Sequence, residues 1–195
     1  MSGSRIYTKL GDDGSTGLLY GGRTSKADSL MEAIGSIDET VATLGLARVH
    51  ATDDALAAII LGVQRDLFVA AADLVTNPHA RDRLVAGISL LTPAMVTHLE
   101  ALIDQRMAAK PLRPVFVVPG ANLASVALDM ARTQVRRAER RLVAHARSPQ
   151  AGAPGAVNPQ VGIYLNRVSD LLYVLARQAA GDAEEPASHA GVARD

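Results

Sequence analysis

The sequence predicts an all-α protein: an antiparallel five-helix bundle preceded by an irregular N-terminal arm. Three observations predict it. Apolar residues recur three or four apart through separate segments, the spacing that gives a helix one buried face. Two segments open on a capping residue followed by proline, Thr92-Pro93 and Asn158-Pro159, a pairing that starts helices. The connections are short, and short connections make successive helices antiparallel. The resulting organisation is an arm over 1–23, a bundle over 24–180 and a disordered tail over 181–195.

Residues 1–23 hold six glycines among hydroxyl and charged groups, a turn-rich segment rather than a regular element. Within it, Tyr7 to Thr16 combines flexible backbone, hydroxyls and Lys9. Those are the ingredients of a phosphate cradle, because glycine lets backbone N–H groups approach an anion. Neither the Walker spacing nor a calcium-loop spacing is present, and an ordinary surface turn has the same composition.

The first helix runs from about Ser25, a capping serine, to His50, with Ile34, Ile37, Val41 and Leu44 on its apolar side. Asp38 projects between Ile34 and Val41, along or beside the buried stripe, and a buried carboxylate needs a cationic partner; a rim position is the alternative. The second helix spans about Thr52 to Thr76, capped by Thr52 or Asp53 and stopped by Asn77-Pro78. Residues 78–91 form a loop with Arg81, Asp82 and Arg83. The third helix runs from Thr92-Pro93 to about Lys110.

Residues 111–120 (PLRPVFVVPG) contain three prolines and several β-branched residues, so this connector is extended. Phe116 either fills core or faces a ligand, and core is the ordinary outcome. The fourth helix, within 119–148, carries Leu123, Val126, Ala127, Met130, Val135, Ala138 and Leu142 at helical spacing. Arg132, Arg136, Glu139 and Arg140 share one face, while Arg137 and Arg141 lie off it. So many guanidinium groups ask for anions: carboxylates, phosphates or both. After a flexible link over 148–160, the fifth helix runs to about Ala180. Its Asn166, Asp170, Tyr173 and Arg177 form a polar stripe that is either solvated or meets the arginine face.

Composition narrows the function classes. The 195 residues carry 20 Lys plus Arg against 20 Asp plus Glu and no net charge. Nucleic-acid binding usually shows as a basic excess, so these arginines are a local feature. Aromatic residues are 3%, too few for base-stacking surfaces. Cysteine is absent, excluding disulfides and thiolate chemistry. A signal peptide is not evident, and the longest uninterrupted apolar run, Leu56 to Val63, is too short to span a bilayer. These features point to a soluble cytoplasmic protein. A ferritin-like di-iron site fails for want of any Glu-x-x-His pair, and the five histidines are never three or four apart.

Four segments resemble the ATP-dependent corrinoid adenosyltransferases of the trimeric five-helix type. They are Tyr7-Thr8-Lys9 to Gly14 with Thr16; Gly22-Arg23 and Lys26 leading to Asp38-Glu39; Phe116 to Gly120 through Arg132 to Arg136-Arg137-Ala138-Glu139-Arg140-Arg141; and Asn166-Arg167-Val168-Ser169-Asp170 with Arg177. Ala121 stands where that family often has a second glycine, and Leu171 where it often has an aromatic.

The resemblance implies a cobalamin adenosyltransferase-like fold and transfer of the 5′-deoxyadenosyl group of ATP to cob(I)alamin. It implies Thr8, Lys9, Gly11 and Lys26 around the nucleotide, with Arg136, Glu139 and Asn166 on ATP or its Mg²⁺. Asp38 and Arg132 resemble a pair that bridges subunits beside the site. Phe116 resembles the aromatic at the lower face of cobalt, with Tyr173 near the corrinoid. The implied partners are two further copies in a homotrimer with sites at the interfaces, a cob(II)alamin reductase or flavin, and a mutase that takes the product. A non-catalytic ATP and cobalamin escort or sensor on this scaffold is the alternative, with an RNA-binding bundle more distant.

Overall fold

The computed structural model describes residues 6–148 and 157–188. Most of the 148–160 link and the end of the predicted tail lie outside them. Five long helices form the fold: α1 (Ser29–Val49), α2 (Asp54–Val75), α3 (Pro93–Ala109), α4 (Leu123–Ala146) and α5 (Pro159–Ala180). Each reverses the direction of the one before. Glu32 of α1 meets Arg141 of α4 while Glu39 meets Arg137, and Asp129 of α4 meets Arg177 of α5 while Glu139 meets Asn166. α4 therefore lies between α1 and α5, antiparallel to both.

Helix starts follow side-chain chemistry. Asp53, Asn122 and Asn158 accept hydrogen bonds from the first-turn amides of α2, α4 and α5, satisfying donors that have no partner inside the helix. α1 starts later than the sequence suggests. Asp28, not Ser25, is its cap, accepting from the Leu30 amide at 2.8 Å. Ser25 instead ends a strand, because the arm contains a small antiparallel hairpin of β1 (Ser15–Gly17) and β2 (Arg23–Ser25). The loop after α2 contains a 3₁₀ turn over Pro78–Arg83.

The described part of the tail, residues 181–188, is also more structured than expected. A 3₁₀ turn over Gly181–Ala183 follows α5, and β4 (Glu185–Pro186) then pairs with β3 (Val117–Val118) of the connector. Low hydrophobicity pointed to disorder, but pairing to another segment supplies what the tail's own sequence lacks.

The core runs the length of the bundle through Ile37 and Leu44, Ile60 and Leu67, Leu128 and Val135, and Leu165, Leu171 and Leu172. On α4 the buried stripe is Ala124, Ala127, Leu128, Ala131, Val135, Ala138 and Leu142. Leu123 and Met130, expected inside, are exposed. α2 is 22 residues long and, by length and composition, apolar enough to cross a membrane, which the eight-residue run alone did not show. Its Leu56, Ile60, Val63, Leu67, Ala70 and Leu74 are buried in the bundle.

A core tyrosine carries its hydroxyl to a half-buried carboxylate. The Tyr164 hydroxyl donates to Asp66 Oδ2 at 2.8 Å. Burial raises the Asp66 pKa above the ordinary 3.8, opposed by the Tyr164 hydrogen bond and the nearby His98. A carboxyl raised in the folded state favours folding below its unfolded value, and that stability is lost as pH rises from near 3.8 through the raised folded value. Tyr164→Phe should lower stability at pH 7 by about 1–3 kcal/mol, because a half-buried carboxylate loses its donor. Asp66→Asn keeps an acceptor for Tyr164 and should flatten the pH dependence. Urea unfolding at pH 4 and pH 7 checks both.

Candidate active site

The arm lies at one end of the bundle, where α1 and α5 begin and α2 and α4 end. Lys26 folds back so that Nζ donates to Gly11 O at 2.7 Å. A Cβ on Gly11 would stand 3.1 Å from that nitrogen, so glycine permits the close approach. Arg23 braces the same loop, donating from Nε to Ser15 Oγ at 2.9 Å and reaching Leu10 O. Asp13 accepts from the Ser15 amide and hydroxyl, and these bonds lower its pKa with help from Arg23. Thr8, Lys9 and Lys26 are exposed. The loop therefore presents cations and hydroxyls on a braced backbone.

On α4 the arginines divide by face. Arg137 pairs with Glu39, and Arg141 with Glu32 at 2.9 Å, so these two tie α4 to α1. Arg136 and Arg140 are exposed and form no ion pair among the described residues. Between them in sequence, Glu139 Oε1 accepts from Asn166 Nδ2 at 3.1 Å, and Asn166 Oδ1 accepts from Arg167 at 2.8 Å. The polar stripe of α5 thus meets α4, except that Asp170 is exposed and stands 3.9 Å from Arg167.

The far end of the bundle holds Phe116. Its side chain is 86% exposed, which corrects the expectation of a core residue. Proline-rich backbone on one side and strand pairing on the other leave it nothing to fold into. It lines a shallow cleft with Arg113, Pro114, Val115 and Tyr173. The Arg132 and Arg177 guanidinium carbons lie 5.8 and 5.5 Å from the centre of the Tyr173 ring, within cation–π range.

Beneath this cleft is an ionic cluster that sequence reasoning missed. The side chains of Arg177, Asp129 and Glu184 are each 6% exposed. Arg177 donates to Asp129 and stands 2.9 Å from Glu184. Glu184 also meets Arg113 at 3.6 Å, while the Ala187 amide donates to Phe116 O at 2.8 Å. The tail therefore clamps the connector that carries Phe116. Asp129 was legible only as a carboxylate inside the apolar stripe of α4.

Asp38 and Arg132 do not meet within the chain. Asp38 is exposed and lines an apolar groove between α1 and α2, rather than lying within the core. Arg132 stands on α4, 3.3 Å from Asp129. The arm and Phe116 are likewise apart. α4 reaches from one to the other, and its 24 residues at about 1.5 Å each span about 36 Å.

The fold and these surfaces define a helical-bundle protein with a braced, cation-bearing arm at one end and an aromatic cleft at the other. The chain belongs to the cobalamin adenosyltransferase family, whose sequence model matches residues 6–194. It is 37% identical over 173 residues to the corrinoid adenosyltransferase of Citrobacter freundii, covering 89% of this chain and 93% of that one. The Bacillus subtilis corrinoid adenosyltransferase is 37% identical over 189 residues, with 92% and 91% covered. A solved phenylalanine-to-alanine variant of the PduO-type ATP:corrinoid adenosyltransferase from Lactobacillus reuteri, complexed with cobalamin and ATP, superposes with a TM-score of 0.77. It is 30% identical, with 90% of this chain and 93% of that chain covered.

Removing Glu184 should leave Arg177 half-paired in a buried site. Glu184→Ala is expected to destabilise the protein by about 3–5 kcal/mol, the scale for breaking a buried pair. Denaturant unfolding, with hydrogen exchange at Val117 and Val118, measures the loss of stability and of the β3–β4 clamp.

Proposed function

We propose that this chain transfers the 5′-deoxyadenosyl group of ATP to cob(I)alamin, with the residues above in the following roles. The cobalt-centred electron pair of the substrate attacks C5′, a cobalt–carbon bond forms, the C5′–oxygen bond breaks, and triphosphate leaves. The protein's task is electrostatic and geometric: to hold the leaving polyphosphate and align the two substrates.

One observation carries the reading. Phe116 is held in solvent by a clamped connector, above a cleft that Tyr173 completes. An aromatic ring kept out of the core suits a broad, flat ligand such as a corrin. Phe116 then packs at the lower face of cobalt and Tyr173 beside the ring. Displacing the axial base makes the added electron less unfavourable, so cob(II)alamin is more easily reduced by a separate reductase or flavin.

Arg136, with Thr8, Lys9, Gly11 and Lys26, receives the triphosphate. Mg²⁺ would be held mainly by the phosphate oxygens of the nucleotide, with the Glu139 carboxylate beside them. Its chemistry there is charge neutralisation on the phosphates.

The separation of the arm from Phe116 supports sites at subunit interfaces, because a second copy can bring its arm to this chain's α4; the number of copies, three, is what the family resemblance implies. Asp38 of one subunit and Arg132 of the next are the bridging pair. The enzyme acts in the cytoplasm and hands its product to a mutase.

Anaerobic incubation with ATP and chemically reduced cobalamin should yield the adenosylcobalamin spectrum; binding of both ligands without turnover would favour an escort. Arg136→Ala is expected to raise KM for ATP by about tenfold or more through loss of a phosphate contact, and unchanged kinetics would remove it from the site. Phe116→Ala should impair activity from cob(II)alamin more than from cob(I)alamin. Equal losses would make Phe116 structural only.

A further inference from the structure

The arm is joined to the bundle by a short set of contacts around Leu19 to Gly22. The Leu19 amide donates to Val75 O and the Asn77 amide to Leu19 O, both at 3.0 Å. Next come Tyr20, Gly21 and Gly22, all at positive φ: 65°, 98° and 84°. Tyrosine rarely adopts that conformation, and such backbone persists only where its surroundings enforce it.

Two residues after α2 do so. The Arg83 guanidinium lies 4.1 Å over the Tyr20 ring, and the Tyr20 hydroxyl donates to Arg83 O at 3.3 Å. Asn77 works in two directions. Its Nδ2 donates to Gly21 O at 2.9 Å, while its Oδ1 accepts from the His79 amide at 3.0 Å and caps the 3₁₀ turn. A Cβ on Gly22 would press to 3.1 Å from that Nδ2.

The turn is itself anchored. Asp73 is fully buried, and its carboxylate accepts from Arg81 at 2.6 Å, the Leu91 amide at 3.0 Å and Asn158 at 2.7 Å. Above it, the Lys26 amide donates to Gly14 O at 2.9 Å, so the hairpin passes its position on to the 9–14 loop.

We infer that Asn77, with Arg83, is a positioning residue for nucleotide binding: it touches no substrate but sets where the arm's glycine loop stands. This rests on the reading of the arm as the nucleotide site. The fold needs only the cap made by Oδ1; the strap made by Nδ2 serves the arm.

Asn77→Asp separates the two, keeping the capping oxygen and replacing the donor with an oxygen that faces Gly21 O. The expected result is a KM for ATP raised about tenfold, with kcat at saturating ATP and KM for cob(I)alamin within about twofold of wild type. The thermal midpoint should hold, and amides 19–22 should exchange hydrogen faster. Asn77→Ala, which also loses the cap, should show the same KM change with a lowered midpoint. Faster exchange with an unchanged KM for ATP would overturn the inference. So would a parallel fall in kcat, both affinities and the midpoint, which marks a merely structural residue. If the wild-type protein makes no adenosylcobalamin, the transferase reading fails; titration of MgATP into wild type and Asn77→Asp then decides the strap, and equal affinities overturn it.

Discussion

Helix α4 must be core and cation at once, and the rest of the structure follows from how it meets both demands. Wedged between α1 and α5, it buries one alanine- and leucine-rich stripe. That fixes the azimuth of every other residue on it. Arg137 and Arg141 are turned to α1 and met by Glu39 and Glu32. Arg132 is turned toward Asp129 and Tyr173. Arg136 and Arg140 are left facing outward. Close packing leaves no rotation of the helix that would pair them all, so the outward charge is a consequence of the core.

The alternation of helix direction imposes a second constraint. Both βlike elements that hold functional loops are placed by it, the arm hairpin at one end and the β3–β4 pair at the other. Both loops are small and only partly buried. Each is held by polar groups anchored in the bundle: Asp73 under the 3₁₀ turn and the arm, Arg177 and Asp129 under the tail and the connector. A buried carboxylate with several donors is costly to assemble and costly to disturb. That makes it a firm base for an exposed loop.

Much of the fold was legible in the sequence for local reasons. The start of α5 needed only a cap and a proline, and that of α3 only the proline, since Thr92 stands at the cap position without a side-chain hydrogen bond to the helix; most core positions needed only spacing. The errors were also local. Ser25 was as good a cap as Asp28 until strand pairing claimed it. Leu123 and Met130 fitted the apolar period, but the neighbouring helices choose one stripe among several that the period allows. Of the candidate site, the residue types and the four matching segments were visible. Asp129 and Glu184 were not, because a carboxylate in an alanine stripe and another in a charged tail carry no signal until a common partner, Arg177, is brought between them.

What the sequence determined by itself was therefore the set of helices, the neutral overall charge with its local cluster of arginines, and membership of a family through motifs spread along the whole chain. Tertiary structure alone decided which arginines are satisfied and which face outward, that Phe116 stands in solvent, and that the arm and Phe116 occupy opposite ends of the bundle. The reason is physical. Helix formation and capping depend on residues a few positions apart, whereas ion pairing, exposure and the spacing of loops depend on groups brought together only when the helices pack.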